Sequence, residues 1–132
     1  MATASSPVLE VPVGATTAFA QAINSGDLPA AADCFTRDAC LLTPDSTIVQ
    51  GRPQITSILR QLIAVGWQIE IQETFLIPAG EVALTTQRWQ VTSVAPEGQT
   101  FSRILTPTVV LRRVDGAWKL AVAMPWHTNH AT

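Results

Sequence analysis

Between Phe101 and Trp126 the chain reads FSRILTPTVVLRRVDGAWKLAVAMPW, two long apolar runs on either side of Asp115-Gly116. An Asp-Gly pair between such arms is the strongest short-range signal for a two-residue β-hairpin, because both central positions need positive φ. At about 3.3 Å per residue, each arm is long enough to cross a small domain. The rest of the chain has to cover or extend this hairpin. Pro107 has no N–H to give to a ladder, so the first arm is expected to bulge or bend there. On the second arm strict alternation puts Trp118, Leu120, Val122, Met124 and Trp126 on one face. Lys119, Ala121 and Ala123 fall on the other.

Upstream, the apolar positions Ala15, Ala18, Phe19, Ala22 and Ile23 have the spacing of one helical face, and Ser25-Gly26 stops that helix. Asp27 is placed to cap a short second helix with Pro29 in its first turn and Ala31, Cys34 and Phe35 buried. Cys40-Leu41-Leu42 and Thr47-Ile48-Val49 read as short strands about a Pro44-Asp45 turn. Gly51-Arg52-Pro53 opens a third helix with an apolar stripe at Ile55, Ile58, Leu59, Leu62 and Ile63, ended by Gly66. From there the period is strand-like: Trp67 to Ile77, then Val82 to Val94, then the hairpin. Helices followed by an antiparallel meander is the order of an α+β domain with its helices on one sheet face.

A length of 132 residues predicts one domain, assigned to 14–127, with an N-terminal arm over 1–13 and a C-terminal tail over 128–132. Apolar residues make up 47% and charged residues only 14%, more apolar surface than one small body needs. An interior cavity or a face buried against a partner would absorb the excess, and both are expected. With a net charge of −2 and scattered arginines, the chain offers nothing to nucleic acid, and its apolar runs are too broken to span a membrane. The N-terminus lacks the features of a secretory signal, so the expected location is cytoplasmic, with Cys34 and Cys40 as free thiols.

Three stretches carry a family likeness: Ser25-Gly26-Asp27, Thr47-Ile48-Val49-Gln50-Gly51-Arg52, and Val110-Leu111-Arg112-Arg113 before Asp115-Gly116-Ala117-Trp118. With them the chain resembles the nuclear-transport-factor-2-like superfamily, and within it the SnoaL-like and ketosteroid-isomerase-like proteins. Pro125-Trp126 is similar to the YybH-like branch. The resemblance implies three N-terminal helices packed in a strongly curved, mixed but mostly antiparallel six-stranded sheet, a conical α+β barrel around an apolar pocket. It also implies a homodimer through the outer sheet face, and no cofactor or metal.

Against that frame several residues are candidates for chemistry. Asp45 follows Leu42-Thr43-Pro44; ketosteroid isomerases carry their aspartate base directly before the corresponding proline, where this chain has Thr43. Asp45 is either a base whose pKa is raised by desolvation at a pocket mouth, or a turn aspartate bonded to its own backbone. The chain has no tyrosine, so the phenol that holds an oxyanion in ketosteroid isomerase has no counterpart. Arg113-Val114-Asp115 is the nearest approach to the acid and arginine pattern of epoxide hydrolases on this scaffold, but it lies at a hairpin turn. The last strand lacks the acid that a cyclase would use, and the aspartate of the YybH-like pattern is missing near Ala123. Glu73, Arg88 and Arg103 are ionisable residues in apolar strands. Each either points into the pocket, where it must be paired, or lies on the outer face.

Phe19, Leu59, Trp89, Met124 and Trp126 are candidate walls for a ligand, Trp89 because its indole N–H also needs a partner. His127 and His130 are two potential ligands without a third, a weak metal signal; His127 would serve a pocket mouth or a solvated tail. Two functions follow. The first is a SnoaL-like domain that binds a small, mostly apolar molecule, with acid/base catalysis of the isomerase, cyclase or dehydratase kind. The second is a non-catalytic dimeric ligand-binding or association domain.

Overall fold

The computed structural model describes residues 12–126; residues 1–11 of the expected arm, the tail, His127 and His130 lie outside them. Helix α1 spans Val13–Ser25 and ends at Gly26, whose φ of 73° is the left-handed cap that glycine provides without strain. Helix α2 is Leu28–Asp33, with the Asp27 carboxylate accepting from Ala30 N–H at 3.1 Å. Strand β1 is Phe35–Leu42 and β2 is Ile48–Gln50. Helix α3 runs over Arg52–Ala64 and buries Ile55, Leu59 and Leu62. The remaining strands are β3 (Gln68–Ala79), β4 (Val82–Val94), β5 (Thr100–Leu105), β6 (Thr108–Val114) and β7 (Ala117–Met124).

The hairpin forms as expected. Asp115 and Gly116 both take positive φ, 51° and 82°, and β6 pairs with β7 from Val114↔Ala117 onward. The whole sheet runs β2-β1-β7-β6-β4-β3, antiparallel except where β1 meets β7, and β5 pairs with β4 beside β6. Among the described residues it has seven strands, not six, because Thr106-Pro107 breaks the first hairpin arm. β4 therefore meets β6 along its first half and β5 along its second. Phe35 belongs to β1, not to the second helix, since α2 stops at Asp33 and Leu120 N–H bonds to Cys34 C=O at 2.8 Å.

The expected strongly curled cone is not what forms. β2 is three residues long and pairs only with β1 among the described residues, so it does not reach β3, and the sheet stays open. One face of it is covered by the helices, and the core between them is dense. Phe19 of α1 stacks on Trp89 at 6.2 Å between ring centroids and meets Phe35 edge-on at 5.6 Å. Ile23, Ile55, Leu59, Leu111 and Leu120 are buried around them.

Alternation fails once in the last strand. Leu111 pairs with Leu120, but Val110 pairs with Val122, so Ala121 is an extra, bulged residue. After that bulge the faces exchange: Ala123 is buried, while Val122 is 42% exposed. Met124 consequently shares the outer face with Val122, opposite Thr108, and the single bulky face predicted for Trp118 to Trp126 does not exist.

Candidate functional site

The buried polar residues of the inner face are Thr16, Thr36, Thr85 and Gln87. None is ionisable. Gln87 is the centre of a closed network. Its Nε2 donates to Thr16 Oγ1 at 2.8 Å and to Thr74 Oγ1 at 3.1 Å, and its Oε1 accepts from Trp89 Nε1 at 2.7 Å. Trp89 is thus held in the core by a satisfied indole, with Phe19 and Leu59 equally buried. These three predicted ligand walls pack against core neighbours. Sequence reasoning passed over Gln87 because a lone glutamine between Thr86 and Arg88 has no chemical signature; its inward parity, shared with Thr85 and Trp89, was the available clue.

The three strand charges are exposed. Glu73 and Arg88 are cross-strand partners on the outer face, and Arg88 Nε donates to Gln72 Oε1 at 3.1 Å. The register shift between Ile71 and Glu73 makes Gln72 the extra residue and turns Glu73 outward. Arg103 lies opposite buried Val91, yet it sits on β5, where only Leu105 is buried. The structure therefore gathers none of the three into the core, where a lone charge would be too costly.

Asp45 lies at the β1–β2 turn with its side chain in solvent, and its carboxylate accepts from Thr43 Oγ1 and from Thr47 N–H, the latter at 3.3 Å. These hydrogen bonds, that of Thr43 first, hold its pKa below the ordinary 3.8. The shift is opposite in sign to the one expected of a desolvated base. Asp45 does border a groove of about 510 Å³ between the β1–β2 turn, α3 and the end of the sheet. Ile58, Leu62 and Trp126 give it an apolar floor, and Thr43, Thr47 and Gln61 line its polar side. Trp126 is half-buried and held edge-on by Trp67 at 6.1 Å, so of the predicted site residues the structure brings together Asp45 and Trp126. Ile58 and Gln61 were missed. Ile58 had been read only as part of the helix stripe, and an exposed glutamine announces nothing.

Cys34 and Cys40 are free, and burial pushes the Cys34 thiol up to about 11 against the pull of Lys119, which makes it a poor nucleophile. No cluster of three or more potential metal ligands occurs among the described residues, and no described helix is long and apolar enough to cross a membrane.

The outer sheet face is apolar over a wide area. Phe75 and Ile77 on β3 are 68% and 64% exposed, and Val82, Leu84, Ile104 and Val122 continue the surface across the other strands. Cross-strand pairs Phe75↔Thr86, Ile77↔Leu84, Leu84↔Val110 and Val110↔Val122 set these residues on one face.

No curated protein sequence matches this chain. Solved structures do match in fold. A Streptomyces avermitilis protein of the NTF2-like family, provisionally named a dehydratase, is 22% identical with a TM-score of 0.76, over 86% of this chain and 93% of that one. A Xanthomonas campestris protein provisionally named a calcium/calmodulin-dependent protein kinase II association domain has a TM-score of 0.78 at 17% identity, over 100% and 97% of the two chains. A ketosteroid isomerase-like protein from Erwinia carotovora atroseptica has a TM-score of 0.74 at 20% identity, over 91% and 95%. The SnoaL-like domain model matches residues 14–123, nearly the whole described length, and the chain belongs to the SnoaL-like domain family.

Proposed function

We propose that this SnoaL-like domain is a homodimeric binding protein for a small, mostly apolar molecule carrying one hydrogen-bond donor or cationic end. The observation that carries the reading is the groove at the β1–β2 turn, an apolar floor of Ile58, Leu62 and Trp126 with an ionised Asp45 at its rim. A carboxylate of depressed pKa is a good acceptor and a weak base, so Asp45 is suited to holding a donor rather than to taking a proton. Dimerisation is supported by the exposed Phe75–Ile77–Leu84–Val122 face, since a contiguous apolar surface of this kind on a small protein marks an interface.

The acid/base reading, an isomerase, cyclase or dehydratase working in a pocket between helices and sheet, is supported by the family and by the ketosteroid isomerase-like likeness. Against it, Asp45 has a lowered pKa, the wrong direction for a base. Chemical-shift mapping with 1-naphthylmethylammonium and with 1-naphthylmethanol separates the two. The binding reading expects saturable shifts at Ile58, Gln61, Leu62 and Trp126. Asp45→Asn should weaken the ammonium probe about tenfold, the loss of one charge-assisted hydrogen bond, and leave the alcohol nearly unchanged. Shifts that instead cluster at Thr16, Thr74 and Gln87 would move the ligand to the interior, and none at the groove would end this proposal.

A further inference from the structure

A second groove, of about 500 Å³, shares no lining residue with the first and lies at the opposite end of α3. It is walled by the start of β1, the first turn of α3 and the β6–β7 hairpin. Arg37, Arg52, Arg112 and Lys119 face Asp33, Asp38 and Asp115 across it, a local surplus of positive charge on a chain whose net charge is −2.

The backbone is bent to make this wall. Phe35 pairs with Leu120 and Cys40 with Val122, so five steps along β1 match only two along β7, and residues 36–39 loop out of the ladder. Such bulges re-aim side chains. Here Thr36 Oγ1 and Arg112 Nη2 both donate to Asp38 Oδ1 at 3.0 Å, and Arg52 Nη2 donates to Phe35 C=O, which pins the loop from both sides. The donors of the groove are incompletely used. Lys119 Nζ donates to Asp33 C=O at 2.7 Å, but the Asp33 carboxylate is shared between Lys119 at 3.4 Å and Arg52 at 3.8 Å, both longer than a charge-assisted hydrogen bond. Arg52 Nε is buried with no acceptor, and Arg37 has no ion pair or hydrogen bond among the described residues. A buried donor without an acceptor is costly.

We infer that this groove binds the oxyanion group, carboxylate or phosphate, of a small molecule, with Arg37, Arg52 and Arg112 as its donors. Arginine suits both groups because its fork matches their paired oxygens. The inference is independent of the groove at Asp45 and survives if that one binds nothing.

The test is titration of isotope-labelled full chain with inorganic phosphate and, separately, succinate, at ionic strength held constant with chloride. Saturable shifts at residues 36–38, 52, 112 and 119 are expected from at least one of the two, and the tighter probe tells which oxyanion is meant. Arg37→Gln, which breaks no bond among the described residues, should weaken binding about tenfold, the value of one charge-assisted hydrogen bond. Asp38→Asn should strengthen it by removing a competing carboxylate, an effect a purely structural ion pair would not show. Arg88→Gln, on the outer sheet face, should change nothing. Linear, non-saturating shifts from both anions, or unaltered affinity in Arg37→Gln, would overturn the inference.

Discussion

Gln87 shows how one side chain can settle the interior. Its amide spends both hydrogens and its oxygen on Thr16, Thr74 and Trp89, so the core holds polar atoms without holding charge. Gln87→Met keeps the volume but leaves the buried indole N–H of Trp89 without its acceptor, while Thr16 Oγ1 keeps its bond to Val13 C=O. Urea unfolding should show a loss of about 2 kcal/mol, the usual cost of an orphaned buried donor. Asp38 and Asp45 act at the surface instead. Hydrogen bonds from Thr36 and then Arg112 hold Asp38 below 3.8, and those from Thr43 and then Thr47 do so for Asp45. A carboxyl group with a depressed folded pKa contributes stability in full above its ordinary value and loses it as pH falls through the folded one. The urea midpoint should therefore fall on going from pH 7 to about pH 3, and by less in Asp38→Asn and Asp45→Asn than in the parent. A larger fall in the variants would contradict these assignments.

At the scale of elements, local chemistry decides most of what forms. Gly26 and Asp27 separate α1 from α2, the Ile55–Leu59–Leu62 stripe makes α3, and Asp115-Gly116 turns β6 into β7. Each was legible because a single residue type meets a single backbone demand. Gly116→Ala, at a φ of 82°, should cost about 1 kcal/mol in thermal or urea unfolding. Apart from the break at Pro107, irregularities of register were not legible. Gln72, Ala121 and residues 36–39 are displaced by pairing with strands distant in sequence, and no local pattern reports a register shift. That is why the side taken by Glu73 stayed open in the sequence and Met124 was assigned to the wrong one. The exchanged faces after Ala121 can be checked directly. Ala123→Asp buries a charge and should abolish folding by circular dichroism, whereas Val122→Asp should leave the fold intact. Equal damage from both would mean the bulge is misplaced.

For the molecule as a whole, the excess of apolar residues predicted a hollow and a covered face. The sheet leaves a broad apolar surface exposed, which the proposed dimer would cover. Phe75→Glu with Ile77→Glu should shift sedimentation from dimer to monomer, weakening association at least a hundredfold if both side chains are buried at the contact. A monomeric parent protein would remove the dimer from the proposal. The candidate site was legible only in part. Asp45 and Trp126 come from turns next to strand ends and meet through the fold, so their proximity is invisible in sequence, as is the gathering of Arg37, Arg52 and Arg112 from three separate elements. The break at Pro107 has a consequence for how the molecule opens. β5 is zipped to β4 along one margin and buries only Leu105, while β6 is stitched on both sides. This corner should fray first, its amides trading protons with solvent well before those of β6 or β7, so that loosening begins beside Trp89 and Val91 without undoing the hairpin.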